Sequence, residues 1–406
     1  MAVLILNDRY LKEQMDFSKW LEKYNDEMYM FSNRTILRDY KDIKVKLGFE
    51  SSMMTNGTVE IEALSLFKTH EFDRIIAFEE ADILRAAKLR SYLNIKGQKI
   101  NDAVYFRDKI KMKRHAEENG IKVAPYKKLD SPIDLYDFAL EYDYPVIVKP
   151  ISGFGANNTS VIESYNDLLS WTKNHYMNDI SGVSLIKDFL VEKYIDKKIY
   201  HIDGIVGERE VRFISVFEYI DTCLSYQNQK GVGSLLLKQG SSLENKMTEF
   251  TKDLIKKFPF DNTLAFHIEV FFDEEKEEII LCEIASRPSG GNVGNLIEAS
   301  YNFNVFEYLV KETCDIENEI LTKQNILSAN YFIPPKYGIL KDVIDTIDFE
   351  WCTKFIMKGK IGEKYNGPTR IANHYAYVEV IGENEKEVRE RINFIIKYIE
   401  EKTIWE

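Results

Sequence analysis

The chain has 406 residues, of which 45% are hydrophobic and 30% are charged, and its formal net charge at pH 7 is −12. This length and hydrophobic content suffice for roughly two to four packed units. The negative charge argues against sequence-independent binding to nucleic acid, which needs a basic surface, and provides no attraction to an anionic membrane.

The first 105 residues alternate between strand and helix patterns, which predicts a small parallel sheet with helices on its faces. The apolar run AVLIL (2–6) precedes Asp8 and Arg9, which favours a first β-strand over a signal peptide. Glu79 and Glu80 follow the predicted strand at 74–78. The carboxyl end of such a strand is where α/β sheets place ligand contacts, although a solvated helix N-terminus explains the two glutamates equally well. The other predicted elements are strands at 28–31 and 74–78 and helices at 17–23 and 82–93.

Residues 106–188 contain a glycine-rich hairpin, PVIVKPISGFGANNTSVIES (145–164), whose first strand ends at Lys149. Only one side chain at its tip is bulky, so the backbone N–H groups there can close around an anion. The lysine precedes the glycines and no helix follows, so the segment is not a P-loop. A plain surface turn explains the pattern about as well. The residues of the tip are Ser152, Gly153, Phe154, Gly155 and Ala156.

The segment HIEVFFDEEKEEIILCEIASRPSGG (267–291) predicts two antiparallel strands joined by a polar turn. This hairpin can bring Glu269 and Glu283 side by side. Facing carboxylates are destabilising unless a cation or proton lies between them, and their oxygens suit Mg²⁺. Arg287 and the two glycines after it suit an anionic group. The alternative is a pair of strand glutamates that point to solvent.

Other patterns are less specific. His267 lies on the same strand face as Glu269, where binding a phosphate and a purely structural role are about equally expected. Residues 226–242 are rich in glycine and serine and predict a surface loop, with a mobile loop over the substrate as the alternative. The last helix carries apolar residues spaced for burial, namely Val388, Ile392, Ile395, Ile396 and Ile399.

Cysteine usage predicts reduced thiols in a cytoplasmic protein, because the cysteines lie far apart and none forms a CxxC pair. No apolar run is long enough to span a bilayer. No Cys/His cluster has the spacing of a zinc site. The cysteines are Cys223, Cys282, Cys314 and Cys352.

Four motifs resemble the ATP-grasp superfamily, and within it the carboxylate–amine ligase branch, in their residues and in their order along the chain. YFRDKIKMKRHAEENGIKVAPY (105–126) resembles the entry to the nucleotide-binding region, with Lys109 as the first phosphate-binding lysine, and PVIVKP provides the second, Lys149. HIEVF and CEIASRPSGG resemble the paired metal carboxylates, Glu269 and Glu283, followed by the catalytic arginine, Arg287. LVEKYIDKKIYHIDGIV (190–206) resembles the hinge that pairs with adenine, whose linker is Glu192, Lys193, Tyr194 and Ile195.

The resemblance implies a mixed α/β chain with the ATP-grasp fold. It implies an N-terminal Rossmann-like pre-ATP-grasp domain at 1–105, which the segment AFEEADILRAAKLRSYLNIKGQ (77–98) also resembles. Three further subdomains would follow: a small lid subdomain at 106–188, a central β subdomain with the metal site at 189–310, and a small C-terminal α/β subdomain at 311–406.

Two positions depart from the family pattern. Relatives commonly have a glycine and an acidic residue after the hinge, where this chain has Lys197 and Ile199, so the usual ribose-binding carboxylate is missing. Many members also have Glu-x-Asn at the metal motif, whereas Ala285 replaces the amide here, so a second Mg²⁺ would depend more on phosphate and water. The alternatives for the ribose contact are Asp196, His201 and Asp203.

By this resemblance the chain is expected to be an ATP-dependent ligase that activates a carboxylate as an acyl phosphate and joins it to an amine, releasing ADP and phosphate. Its cofactors would be ATP and one or two Mg²⁺ ions, for which Mn²⁺ could substitute. Arg287 and Lys149 would be the catalytic residues. The expected partners are small-molecule carboxylates and amines, and a homodimer is left open. The alternatives are a ligase that loads the thiol of a carrier protein and a nucleotide-binding regulator without turnover.

Overall fold

The computed structural model describes residues 2–24, 27–50, 52–176, 188–222, 224–225, 229–368 and 373–406. No helix in these ranges is long and apolar enough to cross a membrane. Cys282 and Cys352 are free thiols, in agreement with the prediction, and Cys223 lies outside the described residues.

The N-terminal sheet is parallel, as the alternation of strand and helix patterns predicted. Leu4 and Leu6 pack into one hydrophobic cluster, and Val3 and Ile5 pack into another, because successive side chains of a strand point to opposite faces. The sheet consists of β1 (Val3–Leu6), β2 (Met28–Asn33), β3 (Val45–Phe49) and β4 (Arg74–Ala77), in the order β3-β2-β1-β4. The helices of this region are α1 (Phe17–Trp20), α2 (Arg34–Leu37), α3 (Thr58–Thr69) and α4 (Asp82–Tyr92).

A second, smaller sheet carries the glycine-rich hairpin. It contains β5 (Tyr126–Lys128), β6 (Val146–Pro150), β7 (Ser160–Ile162) and β8 (Phe189–Lys193), in the order β5-β8-β6-β7. The helices of this part of the chain are α5 (Ile100–Ala103), α6 (Lys109–Glu118), α7 (Pro132–Tyr142) and α8 (Tyr165–Tyr176), of which α7 and α8 pack on the small sheet. β6 and β7 pair antiparallel, with Val146 opposite Ile162, which confirms the predicted hairpin. The boundary predicted between residues 188 and 189 cuts this sheet, because β8 pairs with both β5 and β6.

The largest sheet has eight strands and holds the main hydrophobic core. Its strands are β9 (Lys198–Gly207), β10 (Glu210–Ile220), β11 (Val232–Leu236), β12 (Leu264–Asp273), β13 (Glu278–Ala285), β14 (Leu327–Ile333), β16 (Cys352–Met357) and β18 (Ala376–Gly382), in the order β13-β12-β9-β10-β11-β14-β18-β16. A three-stranded sheet combines β15 (Tyr337–Asp342), β17 (Lys364–Asn366) and β19 (Ile404–Trp405). The helices are α9 (Ser242–Lys257), α10 (Val293–Tyr301), α11 (Val305–Thr313) and α12 (Glu385–Lys402).

The C-terminal region continues the eight-stranded sheet instead of forming a unit that only packs against it. β14 pairs with β11 on one side and with β18 on the other, so the predicted boundary near residue 310 also divides one sheet. α12 buries four of its five predicted apolar residues, and Ile396 is only partly buried.

The prediction of a surface loop at 226–242 is wrong for residues 232–236, which form β11 in the middle of the large sheet. Residues 226–228 lie outside the described part of the chain. The glycines allow close packing between strands: a Cβ on Gly231 would lie 2.0 Å from the carbonyl oxygen of Phe332, and one on Gly233 would lie 2.2 Å from that of Asn330. Glycine, which usually indicates a loop, here relieves crowding inside a sheet.

We expect Gly233→Ala to destabilise the protein by about 1–3 kcal/mol, because β11 and β14 would have to separate to admit the methyl group. Gly57→Ala is the matched control, since a Cβ there meets nothing within 4 Å and should change stability by less than about 0.5 kcal/mol. Urea unfolding of both variants measures the difference. Equal stability of the two variants would contradict this account of β11.

Candidate active site

A cavity of about 210 Å³ lies between the small sheet and the large sheet. The structure brings most of the predicted site residues to its walls, although they are distant in the sequence. The lining includes Lys109, Lys149, Gly153, Phe154, Gly155, Ala156, Glu192, Lys193, Tyr194, Ile195, Glu269 and Glu283. The predicted residues that do not line it are Ser152, His201, Asp203, His267 and Arg287.

The two carboxylates proposed as metal ligands lie directly opposite each other. The register of β12 and β13 pairs Glu269 with Glu283, which confirms the side-by-side placement predicted from the hairpin. Tyr219 donates a hydrogen bond of 2.7 Å from its hydroxyl to Glu269 Oε1. Lys109 Nζ lies 3.1 Å from Glu283 Oε2.

Glu283 is held in its ionised form. Burial raises the pKa of Glu283, but the charges of Lys109 and Lys149 lower this pKa more, to about 2. Two carboxylates on adjacent strands, open to a cavity, are a donor set that fits a hard divalent cation such as Mg²⁺. The cation would also relieve the repulsion between the two carboxylates.

The glycine-rich tip lines the cavity through Gly153, Phe154, Gly155 and Ala156. Arg107 Nη2 donates to the carbonyl oxygen of Ser152 at 2.6 Å, and Lys109 Nζ donates to that of Gly153 at 2.9 Å. Among the hydrogen bonds of the described residues, none uses the N–H groups of Phe154, Gly155 or Ala156. Anion binding by these N–H groups stays a prediction, with which their lack of a protein partner in the described residues is compatible.

Lys149 and Glu192 form a buried ion pair at the wall of the cavity. Lys149 Nζ and Lys113 Nζ each lie 3.1 Å from Glu192 Oε1. Burial lowers the pKa of Lys149, but the charge of Glu192 raises this pKa well above its ordinary value, so the lysine stays cationic. Sequence reasoning missed Lys113, although it follows Lys109 by four residues on α6 and therefore lies on the same helix face.

Arg287 lies outside the cavity lining and is held by Glu80. Its Nε donates to Glu80 Oε2, and its Nη1 donates to the carbonyl oxygen of Pro288 at 2.8 Å. Burial lowers the pKa of Arg287, but Glu80 raises it above the ordinary range, so the guanidinium is charged. Glu80 is only 8% exposed and its carboxylate is bound by Arg287 and Arg107, so the prediction of a solvated helix N-terminus is wrong for this residue.

His201, Asp203 and His267 form a buried chain of contacts that ends at Glu269. Asp203 Oδ2 lies 2.6 Å from His201 Nδ1, and Asp203 Oδ1 lies 2.9 Å from His267 Nδ1. His267 Nε2 in turn lies 3.4 Å from Glu269 Oε1, so the chain can orient this carboxylate. Burial lowers the pKa of His267, but the charge of Asp203 raises it to about 10.

Of the three alternatives for the ribose contact, only Asp196 lines the cavity. We therefore expect Asp196→Ala to weaken ATP binding by about 1.5–3 kcal/mol, the usual value of a hydrogen bond to a charged group. The loss should be much smaller for 2′-deoxy-ATP, which lacks one of the hydroxyls that the carboxylate could bind. Calorimetry with both nucleotides measures the difference.

His201→Gln serves as the control for the ribose prediction, because His201 is buried away from the cavity and should not alter the preference between ATP and 2′-deoxy-ATP. A ribose preference that persists in Asp196→Ala but disappears in His201→Gln would show that the ribose lies nearer to the buried chain.

The part of the chain that contributes most of the cavity lining also matches known proteins. Residues 108–289 match the family model described as carbamoyl-phosphate synthase L chain, ATP binding domain. The chain is 27% identical to an L-arginine-specific L-amino acid ligase of Bacillus subtilis over 295 residues, which cover 71% of this chain and 69% of the relative.

Two solved structures share the fold over nearly the whole chain. The L-amino acid ligase from Bacillus licheniformis has a TM-score of 0.78 at 14% identity and covers 100% of this chain and 98% of its own. A carboxyaminoimidazole ribonucleotide synthase from Aspergillus clavatus, complexed with ATP, has a TM-score of 0.71 at 16% identity and covers 99% of this chain and 98% of its own. At these identities the structural similarity establishes the fold.

Proposed function

We propose that this chain is a member of the ATP-grasp superfamily and an ATP-dependent ligase that activates a carboxylate as an acyl phosphate and joins it to an amine. The observation that supports this most is the cavity in which the glycine-rich tip, the lysines and the opposed carboxylates meet. The lysines and the tip suit the phosphates of ATP, and the carboxylates suit a divalent cation.

The residues in and near the cavity have separate roles in phosphoryl transfer. Lys109 and Lys149 neutralise the triphosphate, and the free N–H groups of the glycine-rich tip bind its oxygens. Glu269 and Glu283 would hold Mg²⁺, which when bound neutralises the β- and γ-phosphates. Arg287, which stays charged, stabilises the negative charge that develops as the substrate carboxylate attacks the γ-phosphorus.

The second step needs no covalent enzyme intermediate. The amine attacks the acyl carbon, the C–N bond forms and the C–O bond to phosphate breaks, so inorganic phosphate leaves. The glycine-rich tip, closed over the phosphates, keeps water from hydrolysing the acyl phosphate first.

An amine acceptor agrees with the comparisons better than a carrier-protein thiol. Two of the similar proteins are named amino acid ligases, and none of the three described above is named for a carrier protein. Amino acids are therefore the first compounds to test as carboxylate and as amine.

An ADP-release screen over amino acids and other small carboxylates, alone and in pairs, tests this proposal. We expect ADP to form only with a productive acid and amine, and mass spectrometry should find the amide in matching amount. The variant Glu283→Gln is the negative control for contaminating ATPases. ADP release that never depends on a carboxylate, in a protein that binds ATP, would overturn the proposed function.

A further inference from the structure

Glu80 connects two arginines that lie far apart in the sequence. Its Oε1 accepts a hydrogen bond from Arg107 Nη1, and its Oε2 accepts one from Arg287 Nε. Glu80 and Arg107 are each 8% exposed, and burial raises the pKa of Glu80 while the two arginines lower it below its ordinary value. The carboxylate is thus a buried anion shared by two cations.

Arg107 extends this connection to the glycine-rich tip. Its Nη1 binds Glu80, and its Nη2 donates to the carbonyl oxygen of Ser152 at 2.6 Å. One chain of contacts therefore joins the end of the N-terminal sheet, the segment before α6, the tip between β6 and β7, and the loop after β13.

The contacts of Arg287 leave one side of its guanidinium for a ligand. Nε is bound to Glu80 and Nη1 to the carbonyl oxygen of Pro288 at 2.8 Å. Nη2 makes no hydrogen bond within the described part of the chain. Because the guanidinium is planar, fixing Nε and Nη1 also fixes the direction in which Nη2 points. An arginine oriented in this way needs little reorganisation when charge develops near it.

We propose that Glu80 is a positioning residue, which orients Arg287 toward the reacting phosphoryl group and, through Arg107, couples this orientation to the position of the glycine-rich tip. The inference rests on the proposed function, because it assigns Arg287 to the ligase reaction. The simpler role is a buried ion triad that only stabilises the fold. If Glu80 positions Arg287, its loss should lower kcat and loosen the tip. If Glu80 only stabilises the fold, its loss should lower stability alone.

Glu80→Gln keeps the shape of the side chain but removes its charge. We expect kcat to fall roughly 10- to 100-fold, the usual effect of displacing a catalytic group slightly, while KM for ATP changes less than about threefold. More ADP than amide should form, because a loosened tip admits water to the acyl phosphate. Steady-state kinetics with both products quantified measures these effects.

Asp82→Asn is the matched control, because Asp82 forms a buried ion pair with Arg85 in the same domain. This variant should lose stability, as any broken buried pair does, but keep kcat and equal amounts of ADP and amide. Excess ADP in Asp82→Asn as large as in Glu80→Gln would assign Glu80 a structural role only. Wild-type kcat and wild-type product ratio in Glu80→Gln would also overturn the proposal.

Hydrogen exchange of the tip provides a test that does not depend on turnover. With a non-hydrolysable ATP analogue and Mg²⁺, residues 152–156 should be protected in the wild-type protein and exchange faster in Glu80→Gln and in Arg107→Met. Because both residues act through one contact chain, the double variant should exchange no faster than the worse single variant. Additive losses, or unchanged protection in both single variants, would contradict the coupling.

Different results would refute the proposed function and the role of Glu80. A wild-type protein that binds ATP but never forms amide refutes the ligase, whereas the exchange experiment still reports whether Glu80 holds the tip. Arg107→Met also serves as the test if Glu80→Gln does not fold.

Discussion

Replacing Glu283 with glutamine is expected to lower kcat by roughly 1,000-fold or more while the fold is retained. Glu283 is ionised and lies opposite Glu269 at the cavity wall, and the isosteric amide cannot balance the charge of a divalent cation. Losing several kcal/mol of charge stabilisation corresponds to about this factor. ADP formation at saturating ATP, over a range of Mg²⁺ concentrations, measures the loss.

Glu269→Gln should behave in the same way, because a cation between the two strands needs both carboxylates. The control is Glu278→Gln, on the same strand, β13. Glu278 pairs with Lys122 at the surface, where half of the lysine side chain is exposed, so this change should leave turnover unaltered. Wild-type ADP formation in Glu283→Gln or Glu269→Gln would remove the metal assignment.

Arg287→Met is expected to lower kcat by about 10²- to 10³-fold, the usual effect of removing one group that stabilises transition-state charge. ATP affinity should change little, because Arg287 lies outside the lining of the nucleotide cavity. Arg287→Lys should recover little of the lost rate, since an ammonium cannot bind Glu80 and an anion with the geometry of a guanidinium. Calorimetry with ATP and steady-state kinetics separate binding from turnover.

Lys149→Met is the contrasting variant. Lys149 lines the cavity and compensates Glu192, so its loss should weaken ATP binding and also destabilise the protein. Arg209→Met is a neutral control, because Arg209 forms a half-exposed pair with Asp261 away from the site. Equal losses of ATP affinity in Arg287→Met and Lys149→Met, with unchanged kcat in both, would contradict the two roles.

Features that depend on neighbouring residues could be predicted from the sequence. Alternation of apolar residues and a polar turn place Glu269 opposite Glu283, since a hairpin pairs residues that are close in the chain. The glycine-rich hairpin at β6 and β7 and the buried face of α12 follow from local periodicity in the same way. The nucleotide-binding motifs were recognisable because their order along the chain is specific.

Contacts between distant segments could not be predicted in this way. The glycines of β11 indicate a loop by composition, and only the carbonyl oxygens of β14 show that space for a side chain is lacking. The role of Glu80 likewise depends on Arg287, which is 207 residues away.

The sequence by itself therefore determined the hairpins, the motifs and the chemistry they suit, because these depend on residues a few positions apart. Only the tertiary structure decided that Glu192 is shared by Lys113 and Lys149, and that Asp196 rather than His201 or Asp203 reaches the cavity. The partner of a buried charge is decided by which oppositely charged side chain tertiary packing brings close to it. A local sequence pattern does not contain this information.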